Sequence, residues 1–244
     1  MNNIYVTGDI HGNSISFRQR IQNYIPDADE TDSLICLGDV GLEYGNKTQG
    51  NLRKQMSHFP GTIYVMRGNH DTRYWRDHEN SIDSWVIEND LLYRKKYDNI
   101  KYIKDSGGLY NINGNNILFI PGAYSIDKYY RLDNGFPYEF EEQLKWHEQN
   151  NIFNIVTQNQ KIDYVCSHTA PLCVYPYFKD LFLNFVDQSQ VDNNMEKFLN
   201  EIYILIGKSV KRWYFGHFHD DRDVSTNFTM LYTEIVKLGE KLER

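Results

Sequence analysis

The sequence lacks any apolar stretch long enough to cross a membrane as a helix. No window of its 244 residues approaches the ~20 consecutive apolar residues that a membrane-spanning helix requires. The pattern of a secretory signal, a basic segment followed by an apolar one, is also missing before the strand-like residues 3–6. We therefore expect a cytoplasmic protein that makes no membrane association.

Cysteine is scarce as well. Three cysteines, Cys36, Cys166 and Cys173, cannot all pair, and none forms a C-x-x-C motif. Cys36 and Cys166 lie within apolar runs, where a thiol acts as a small buried hydrophobe. This pattern agrees with a reducing compartment and argues against a disulfide-stabilised fold.

Positive charge is in deficit, with 26 Lys and Arg against 33 Asp and Glu and a net charge of −7. The balance argues against a protein that covers nucleic acid through bulk charge, and no basic stretch of five or more residues is present, so extended nucleic-acid binding is not expected. No G-x-G-x-x-G follows the first apolar run, which excludes a typical dinucleotide-binding fold. The hydrophobic content of 41% and the lack of a linker favour one folded domain over residues 1–244.

Five short apolar runs, each ending in glycine or serine, have the character of buried strands: residues 4–8, 34–38, 63–68, 162–167 and 210–216. Helical patterns separate the first three. Ser14 is expected to cap a helix that carries Ile15, Phe17, Ile21 and Ile25, and a second helix is expected over 49–58, with Leu52 and Met56 inward. This alternation predicts an α/β fold with parallel strands.

The rest of the chain adds a hairpin, two helices and a last strand. Asn113-Gly114 between two apolar runs is a strong hairpin signal. Helices are expected over about 138–151 and over 191–206, the second ending at Gly207, and a closing strand over 228–236. The aromatic segment 174–178 either packs a loop on the sheet edge, which we favour, or forms a lid or a stacking surface for a base.

Polar residues follow each of the five strand-like runs. Asp9, Asp39 and Asn69 are spaced 30 residues apart, about one βαβ unit. Because ligands of open α/β sheets bind beyond the carboxyl ends of the strands, we expect these groups to meet at one rim. The full set is Asp9, His11, Asp39, Asn69, His70, Asp71, His168, His217 and His219.

Carboxylates and imidazoles converging on one rim are the ligands that a two-metal site needs. They suit Mn, Fe or Zn, and a shared carboxylate can hold two ions ~3.5–4 Å apart. A single histidine at a strand end is usually a satisfied surface or core residue, but five strand ends carrying such groups together favour a metal centre.

These motifs, Gly8-Asp9-Ile10-His11, Gly38-Asp39, Gly68-Asn69-His70-Asp71, Ser167-His168 and Gly216-His217-Phe218-His219, resemble those of the calcineurin-like metallophosphoesterase superfamily. They occur in the family's order between residues 8 and 219. The resemblance implies a four-layer α/β/β/α sandwich, a mixed double β-sheet flanked by helices, with the metal ions at its rim.

The resemblance also implies a ligand set. One divalent transition-metal ion would be held by Asp9, His11, Asp39 and His219, and the other by Asp39, Asn69, His168 and His217, with Asp39 as the bridge. The ions are expected to be Mn²⁺, with Fe or Zn as alternatives. His70 stands at the position of a non-ligand catalytic histidine, and Asp71 is a candidate partner that orients a histidine or else begins a helix.

The reaction implied is hydrolysis of a small phosphate mono- or diester by a metal-bridging hydroxide that attacks phosphorus, with His70 protonating the leaving oxygen or stabilising the transition state. Two alternatives stay open, a catalytically weak member that serves as a binding scaffold and a nuclease. The scaffold would be expected to have lost ligands, and none is missing from this sequence.

The second motif departs from the protein Ser/Thr phosphatase branch of this superfamily. Leu42 replaces the Asp that pairs with the catalytic histidine there, and Glu43 replaces a phosphate-binding Arg. Phosphoprotein specificity is therefore not expected. Another cation would have to meet the substrate, and among Arg67, Arg73, Lys128 and Arg131 we favour Arg73 and Arg131.

Overall fold

A computed structural model describes residues 2–42, 48–80, 84–158, 161–182 and 191–242. The strands are β1 (Ile4–Thr7), β2 (Ser33–Cys36), β3 (Thr62–Val65), β4 (Trp85–Glu88), β5 (Leu91–Arg94), β6 (Tyr97–Tyr102), β7 (Gly108–Ile112), β8 (Asn115–Ile120), β9 (Tyr164–Ser167), β10 (Arg212–Phe215), β11 (Arg222–Asp223), β12 (Phe228–Met230) and β13 (Ile235–Lys237). The α-helices are α1 (Ser14–Tyr24), α2 (Thr48–Met56), α3 (Tyr74–His78), α4 (Lys128–Asp133), α5 (Trp146–Thr157) and α6 (Asn194–Ile206). Two 3₁₀ turns span Leu172–Tyr177 and Lys179–Leu181.

These strands form two mixed sheets. One sheet has the order β13-β1-β2-β3-β6-β5-β4, with β1, β2, β3 and β6 mutually parallel. The other has the order β11-β12-β10-β9-β8-β7, with β8, β9, β10 and β12 parallel. The parallel βαβαβ arrangement predicted for the N-terminal third is confirmed, and so is the mixed double β-sheet flanked by helices.

Alternation along the strands sends side chains to different hydrophobic clusters. In β2, Leu34 and Cys36 pack in a cluster with residues of α1 and α2, whereas Ile35 joins a cluster to which both sheets contribute. In β9, Val165 packs in a cluster with residues of α5 and α6, and Cys166 joins the shared cluster. The shared cluster therefore holds the two sheets together, and each sheet carries its helices on the other face.

The cysteines behave as expected from their apolar neighbours. Cys36 and Cys166 are buried, Cys173 is exposed, and all three thiols are free. Burial raises the pKa of the Cys36 thiol to about 12, which keeps it protonated and unreactive. No helix in the described part of the chain is long and apolar enough to cross a membrane.

The first helix differs from its prediction at the N-terminus. Asn13, rather than Ser14, caps it, because the Asn13 side-chain oxygen accepts a hydrogen bond of 3.0 Å from the Ser16 backbone N–H. Ile15 is 63% exposed, while Phe17 is buried. The second helix has Leu52 and Met56 buried, as expected.

The helix expected over 138–151 begins only at Trp146. The backbone before Trp146 binds two buried arginines instead. The carbonyl oxygens of Glu141, Glu142 and Gln143 accept hydrogen bonds from the buried guanidinium groups of Arg67 and Arg73, which prevents them from joining a helical ladder. The helix expected over 191–206 is confirmed as α6, and it ends at Gly207.

The closing strand predicted over 228–236 is two strands in different sheets, β12 beside β10 and β13 beside β1. Asp221 binds the backbone of the segment between these two strands. Its carboxylate accepts hydrogen bonds from the backbone N–H groups of Tyr232, Thr233 and Glu234, so the chain turns there and passes from one sheet to the other.

The predicted hairpin is confirmed. β7 and β8 are antiparallel, Ile112 pairs with Asn115, and the two turn residues Asn113 and Gly114 have φ of 47° and 80°. Positive φ at both turn residues is the conformation that favours an Asn-Gly pair.

We predict that Gly114→Ala destabilises the protein by about 1–2 kcal/mol, because a non-glycine residue is strained at this φ. A Cβ at Gly114 would meet no atom within 4 Å, so the loss of stability would come from backbone strain and not from a steric clash. Gly114→Asn is the matched control and should cost less, since asparagine tolerates the left-handed region. Equal unfolding midpoints in urea for the alanine variant and the unsubstituted protein would contradict this.

Candidate metal centre

Five loops that follow parallel strands converge at one rim of the two sheets. Asp9 and His11 follow β1, Asp39 follows β2, Asn69 and His70 follow β3, His168 follows β9, and His217 and His219 follow β10. Because β1, β2 and β3 are parallel neighbours in one sheet, and β9 and β10 in the other, their carboxyl ends lie together. The structure thus brings all seven residues of the expected ligand set to one place.

One group of ligand atoms consists of Asp9, His11 and His219. Their imidazole Nε2 atoms lie 2.9 Å apart, and Asp9 Oδ2 lies 3.6 Å from that of His11 and 3.2 Å from that of His219. Three donor atoms so closely spaced, from two imidazoles and a carboxylate, suit a common cation.

A second group surrounds Asn69. Its Oδ1 lies 2.7 Å from His168 Nε2 and 3.1 Å from His217 Nδ1, and His168 Nε2 is 3.6 Å from Asp39 Oδ2. His168 Nδ1 lies 2.8 Å from the Leu37 carbonyl oxygen, to which it can only donate. This contact fixes the ring so that His168 Nε2 faces the group.

Buried carboxylates join the two groups. Ligand atoms of Asp9, Asp39 and His168 all lie within 4.8 Å of one another. Asp9 Oδ2 is buried and has no hydrogen-bond partner among the described residues. A buried carboxylate oxygen without a donor is costly, so the donor set fits a cation that would complete it.

The charges within the cluster strongly shift the pKa values of its members. Burial opposes ionisation of Asp9 and Asp39, but the neighbouring histidines outweigh it and hold the pKa of each carboxyl well below its usual range. For His168, burial is outweighed by the charge of Asp39, which raises its pKa to about 9, whereas burial together with His168 lowers the pKa of His217 to about 3. Two ionised carboxylates and a neutral His217 are the protonation states in which such residues ligate metals.

Four of the candidate ligands have left-handed backbone conformations. The φ angles are 50° at His11, 47° at Asp39, 70° at His217 and 54° at His219. Such conformations are uncommon outside glycine, and they concentrate at functional sites where the surrounding structure enforces them. Here they occur in the loops that follow β1, β2 and β10.

The glycines before the ligands provide space across the site. A Cβ at Gly68 would collide with the Asp39 carboxylate, and one at Gly216 with Asp9 Oδ1. At Gly38, whose φ is 109°, it would collide with the His168 ring. Each of these glycines therefore makes room for a ligand that comes from a different strand.

His70 lies beside the cluster. Its backbone N–H donates to Asp39 Oδ1 at 2.9 Å, and its Nε2 is 3.9 Å from Asp39 Oδ2. Burial lowers the pKa of His70 below its ordinary value, and the charge of Arg131 adds to this effect against the opposing charge of Asp39. His70 also lines the cavity beside the cluster.

Asp71 has a different position from either sequence expectation. Its buried carboxylate accepts hydrogen bonds from the backbone N–H groups of Val40, Gly41 and Gly68, at 3.2, 2.9 and 3.0 Å. The helix after it begins at Tyr74. Asp71 therefore ties together the loops that carry Asp39 and Asn69 instead of orienting a histidine ring or beginning a helix.

Arg73 does not point into the cavity. Its guanidinium is buried in a two-pronged ion pair with Glu148, at 2.6 and 3.0 Å, and donates to the carbonyl oxygens of Glu141 and Gln143. We correct its assignment from substrate binding to a structural cation, because its donors are already engaged. Arg67 is likewise buried against the Glu142 and Asp105 carbonyl oxygens.

Arg131 is held close to the site by Asp127, a cavity residue. Its Nε donates to Asp127 Oδ2 at 2.7 Å, and its Nη1 donates to the Pro137 carbonyl oxygen at 3.0 Å. Lys128 lies over the rings of Tyr124 and Tyr138. Leu42 is fully buried, and Glu43 lies outside the described residues.

Ser125 is a site residue that sequence reasoning missed. Its Oγ accepts a hydrogen bond of 2.8 Å from Asn69 Nδ2, which directs the Asn69 oxygen toward His168 and His217. The available signal was its position after β8, which is parallel to β9. Its distance of five residues from the end of β8 hid that signal.

Comparison with known proteins agrees with the resemblance that the sequence motifs show. The sequence model of the calcineurin-like phosphoesterase family matches residues 3–221. A search of curated proteins returns no match. One solved structure aligns over 97% of this chain and 95% of its own, at 14% identity and a TM-score of 0.54, which shows a shared fold.

Two more distant structures also align. The phosphopantetheinyl hydrolase of Mycobacterium tuberculosis covers 95% of this chain and 90% of its own at 12% identity, with a TM-score of 0.47. A Staphylococcus aureus protein, provisionally a 5′-nucleotidase, covers 96% of this chain and 49% of its own at 15% identity, with a TM-score of 0.46.

We predict that Arg73→Met destabilises the protein by about 3–5 kcal/mol, because it leaves Glu148 buried without its cation. A second substitution, Glu148→Leu, should recover part of that loss, since it removes the stranded charge. Urea unfolding of both variants measures the effect. If Arg73→Met alone left the stability unchanged and raised KM, Arg73 would be a substrate-binding residue.

Proposed function

This chain belongs to the calcineurin-like phosphoesterase family, whose members hydrolyse phosphoesters with the help of metal ions, and we propose that it is a phosphohydrolase that cleaves a small phosphate mono- or diester with two divalent transition-metal ions, Mn²⁺ first among them. The observation that carries the proposal is the pair of ligand groups that share buried carboxylates beside a cavity containing His70.

The proposed ligands divide between the two groups as the resemblance implies. Asp9, His11 and His219 would hold one ion, and Asn69, His168 and His217 the other, with Asp39 between them. Such ions, when bound, lower the pKa of water toward neutrality and offset negative charge on the phosphoryl oxygens.

The protein supplies the ordering of this cluster. Asp71 fixes the loops of Asp39 and Asn69 through their backbone N–H groups, and Ser125 fixes the amide of Asn69. Because these contacts are already made, the ligands need little rearrangement to bind. Preorganisation of this kind is a main source of electrostatic catalysis.

His70 is the proposed acid. It is held by its backbone N–H on Asp39 Oδ1, and its ring faces the cavity without serving as a ligand. From this position its ring can donate a proton to the departing oxygen, or a hydrogen bond to a phosphoryl oxygen. Arg131 is the proposed substrate cation, since it is held by Asp127 near His70 and its charge reaches that ring.

A cavity of about 380 Å³ favours a small substrate. The absence of an Asp at position 42 and the burial of Leu42 there support a specificity other than phosphoprotein.

We predict that the protein, incubated with manganese and separated from free metal, retains about two ions per chain. Asp39→Asn should lose metal and activity, because one carboxylate serves both groups. Asp163→Asn, a buried carboxylate before β9 at the opposite end of the strand, is the control and should keep its metal. Elemental analysis that finds no bound metal in the unsubstituted protein would refute the proposed function.

His70→Ala is expected to keep the metal content and to lower kcat on an aryl phosphate by about 10²–10⁴-fold, the usual contribution of a general acid. His147→Ala, an exposed histidine on α5, should leave kcat unchanged. Turnover by the His70 variant at the original rate would remove this histidine from the mechanism.

A further inference from the structure

The imidazole of His219 is stacked on an aromatic ring that does not belong to the ligand set. Tyr232, in the segment between β12 and β13, lies against it with a centroid distance of 4.7 Å and an interplanar angle of 20°. The guanidinium carbon of Arg20, from α1, lies 5.9 Å from the centroid of the Tyr232 ring. A candidate metal ligand, a tyrosine and an arginine are therefore linked in that order.

Arg20 is also bonded to the backbone of a second candidate ligand. Its Nη2 donates a hydrogen bond of 2.6 Å to the Asp9 carbonyl oxygen, and its Nη1 donates one of 3.1 Å to Thr7 Oγ1. The arginine is buried, with 5% of its surface exposed. One buried guanidinium thus reaches Asp9 directly and His219 through Tyr232.

The backbone of Tyr232 is held from two sides. Its N–H donates a hydrogen bond of 2.7 Å to Asp221 Oδ1. A Cβ at Gly8 would collide with the Cα of Tyr232 and with the Leu231 carbonyl oxygen, so the two backbones lie directly against each other. A ring on a backbone fixed in this way offers His219 a stable face on which to pack.

His219 has few other contacts that set the orientation of its ring. Its side chain is 49% exposed, and its Nδ1 forms no hydrogen bond to any residue that the structure describes. The second nitrogen of a histidine ligand is usually held by a hydrogen bond, as His168 Nδ1 is by the Leu37 carbonyl oxygen. At His219 the stacked Tyr232 ring takes the place of that hydrogen bond.

The second ligand group has supports of its own. Asn69 Nδ2 donates a hydrogen bond to Ser125 Oγ, and His168 Nδ1 lies beside a backbone carbonyl oxygen. Neither contact involves Arg20 or Tyr232. Because the supports of the two groups are separate, a change in one should not reach the other.

We propose that Arg20 and Tyr232 are positioning residues, which are not ligands themselves but set the metal affinity of the group formed by Asp9, His11 and His219. Loss of either side chain should release the ion of that group and leave the other ion bound. The inference rests on the proposed function, since it concerns one of the two proposed metal ions.

Calorimetric titration of the full chain with manganese, after treatment with a chelator, measures the effect without reference to activity. Tyr232→Leu should weaken one of the two binding steps by about 10–100-fold, the usual effect of losing the support behind a metal ligand, and leave the other step unchanged. Tyr232→Phe keeps the ring and should bind both ions as the unsubstituted protein does. Tyr24→Leu removes a 43% exposed tyrosine from α1 and should change neither step.

Arg20→Met should produce the same selective loss, because it removes the contacts to both Asp9 and Tyr232. Arg20→Lys keeps a donor for the Asp9 carbonyl oxygen and should lose less affinity. Arg18→Met, at an exposed position of the same helix, should have no effect. Tyr232 is only partly buried, so its variants keep the test valid if Arg20→Met does not fold.

Anomalous scattering from crystals of Tyr232→Leu grown with limiting manganese identifies the ion that is lost. The peak beside His11 and His219 should be weaker than in the unsubstituted protein, and the peak beside His168 and His217 should be unchanged.

The outcomes separate this inference from the proposed function. If the unsubstituted protein binds two ions and Tyr232→Leu binds both as tightly, the inference is wrong and the proposed function stands. Equal weakening of both binding steps would reveal a general structural effect and would also overturn the inference. An unsubstituted protein that binds no metal would refute the proposed function and this inference with it.

Discussion

The site depends on the burial of the Asp39 carboxylate where the rims of two sheets meet. One oxygen accepts the His70 backbone N–H, and the other faces His168 Nε2 and His70 Nε2. Burial of a carboxylate is costly, and only positive or hydrogen-bonding partners offset it. The left-handed backbone at Asp39 and the missing Cβ at Gly68 both serve to place this group. Every other candidate ligand is arranged around it.

Much of this arrangement could be predicted from the sequence, because the carboxyl ends of parallel strands must share an edge. Short apolar runs followed by Asp, Asn or His located the strands and the groups at their ends. The functions of Asp71 and Arg73 could not be predicted in this way. Asp71 binds backbone N–H groups of two other loops, and Arg73 meets Glu148 from a distant helix. Both contacts exist only after the chain has folded, and neither residue type reveals its partner.

The same limit applies to local structure. Ser14 and Asn13 are both good helix caps, and the side-chain geometry of Asn13 decides between them. The segment before α5 has helical spacing, yet its carbonyl oxygens bind the two buried arginines. In segment 174–178, Phe178 packs in the core, as the favoured interpretation predicts, and Tyr175 also lines the cavity. In each case a tertiary contact outweighs a local preference.

The central claim is that the rim holds two metal ions that share Asp39. Anomalous X-ray scattering from a crystal grown with manganese tests it most directly. Two peaks about 3.5–4 Å apart, one beside His11 and His219 and the other beside Asn69, His168 and His217, are the expected result. A single peak away from Asp39, or none at this rim under saturating manganese, would contradict it.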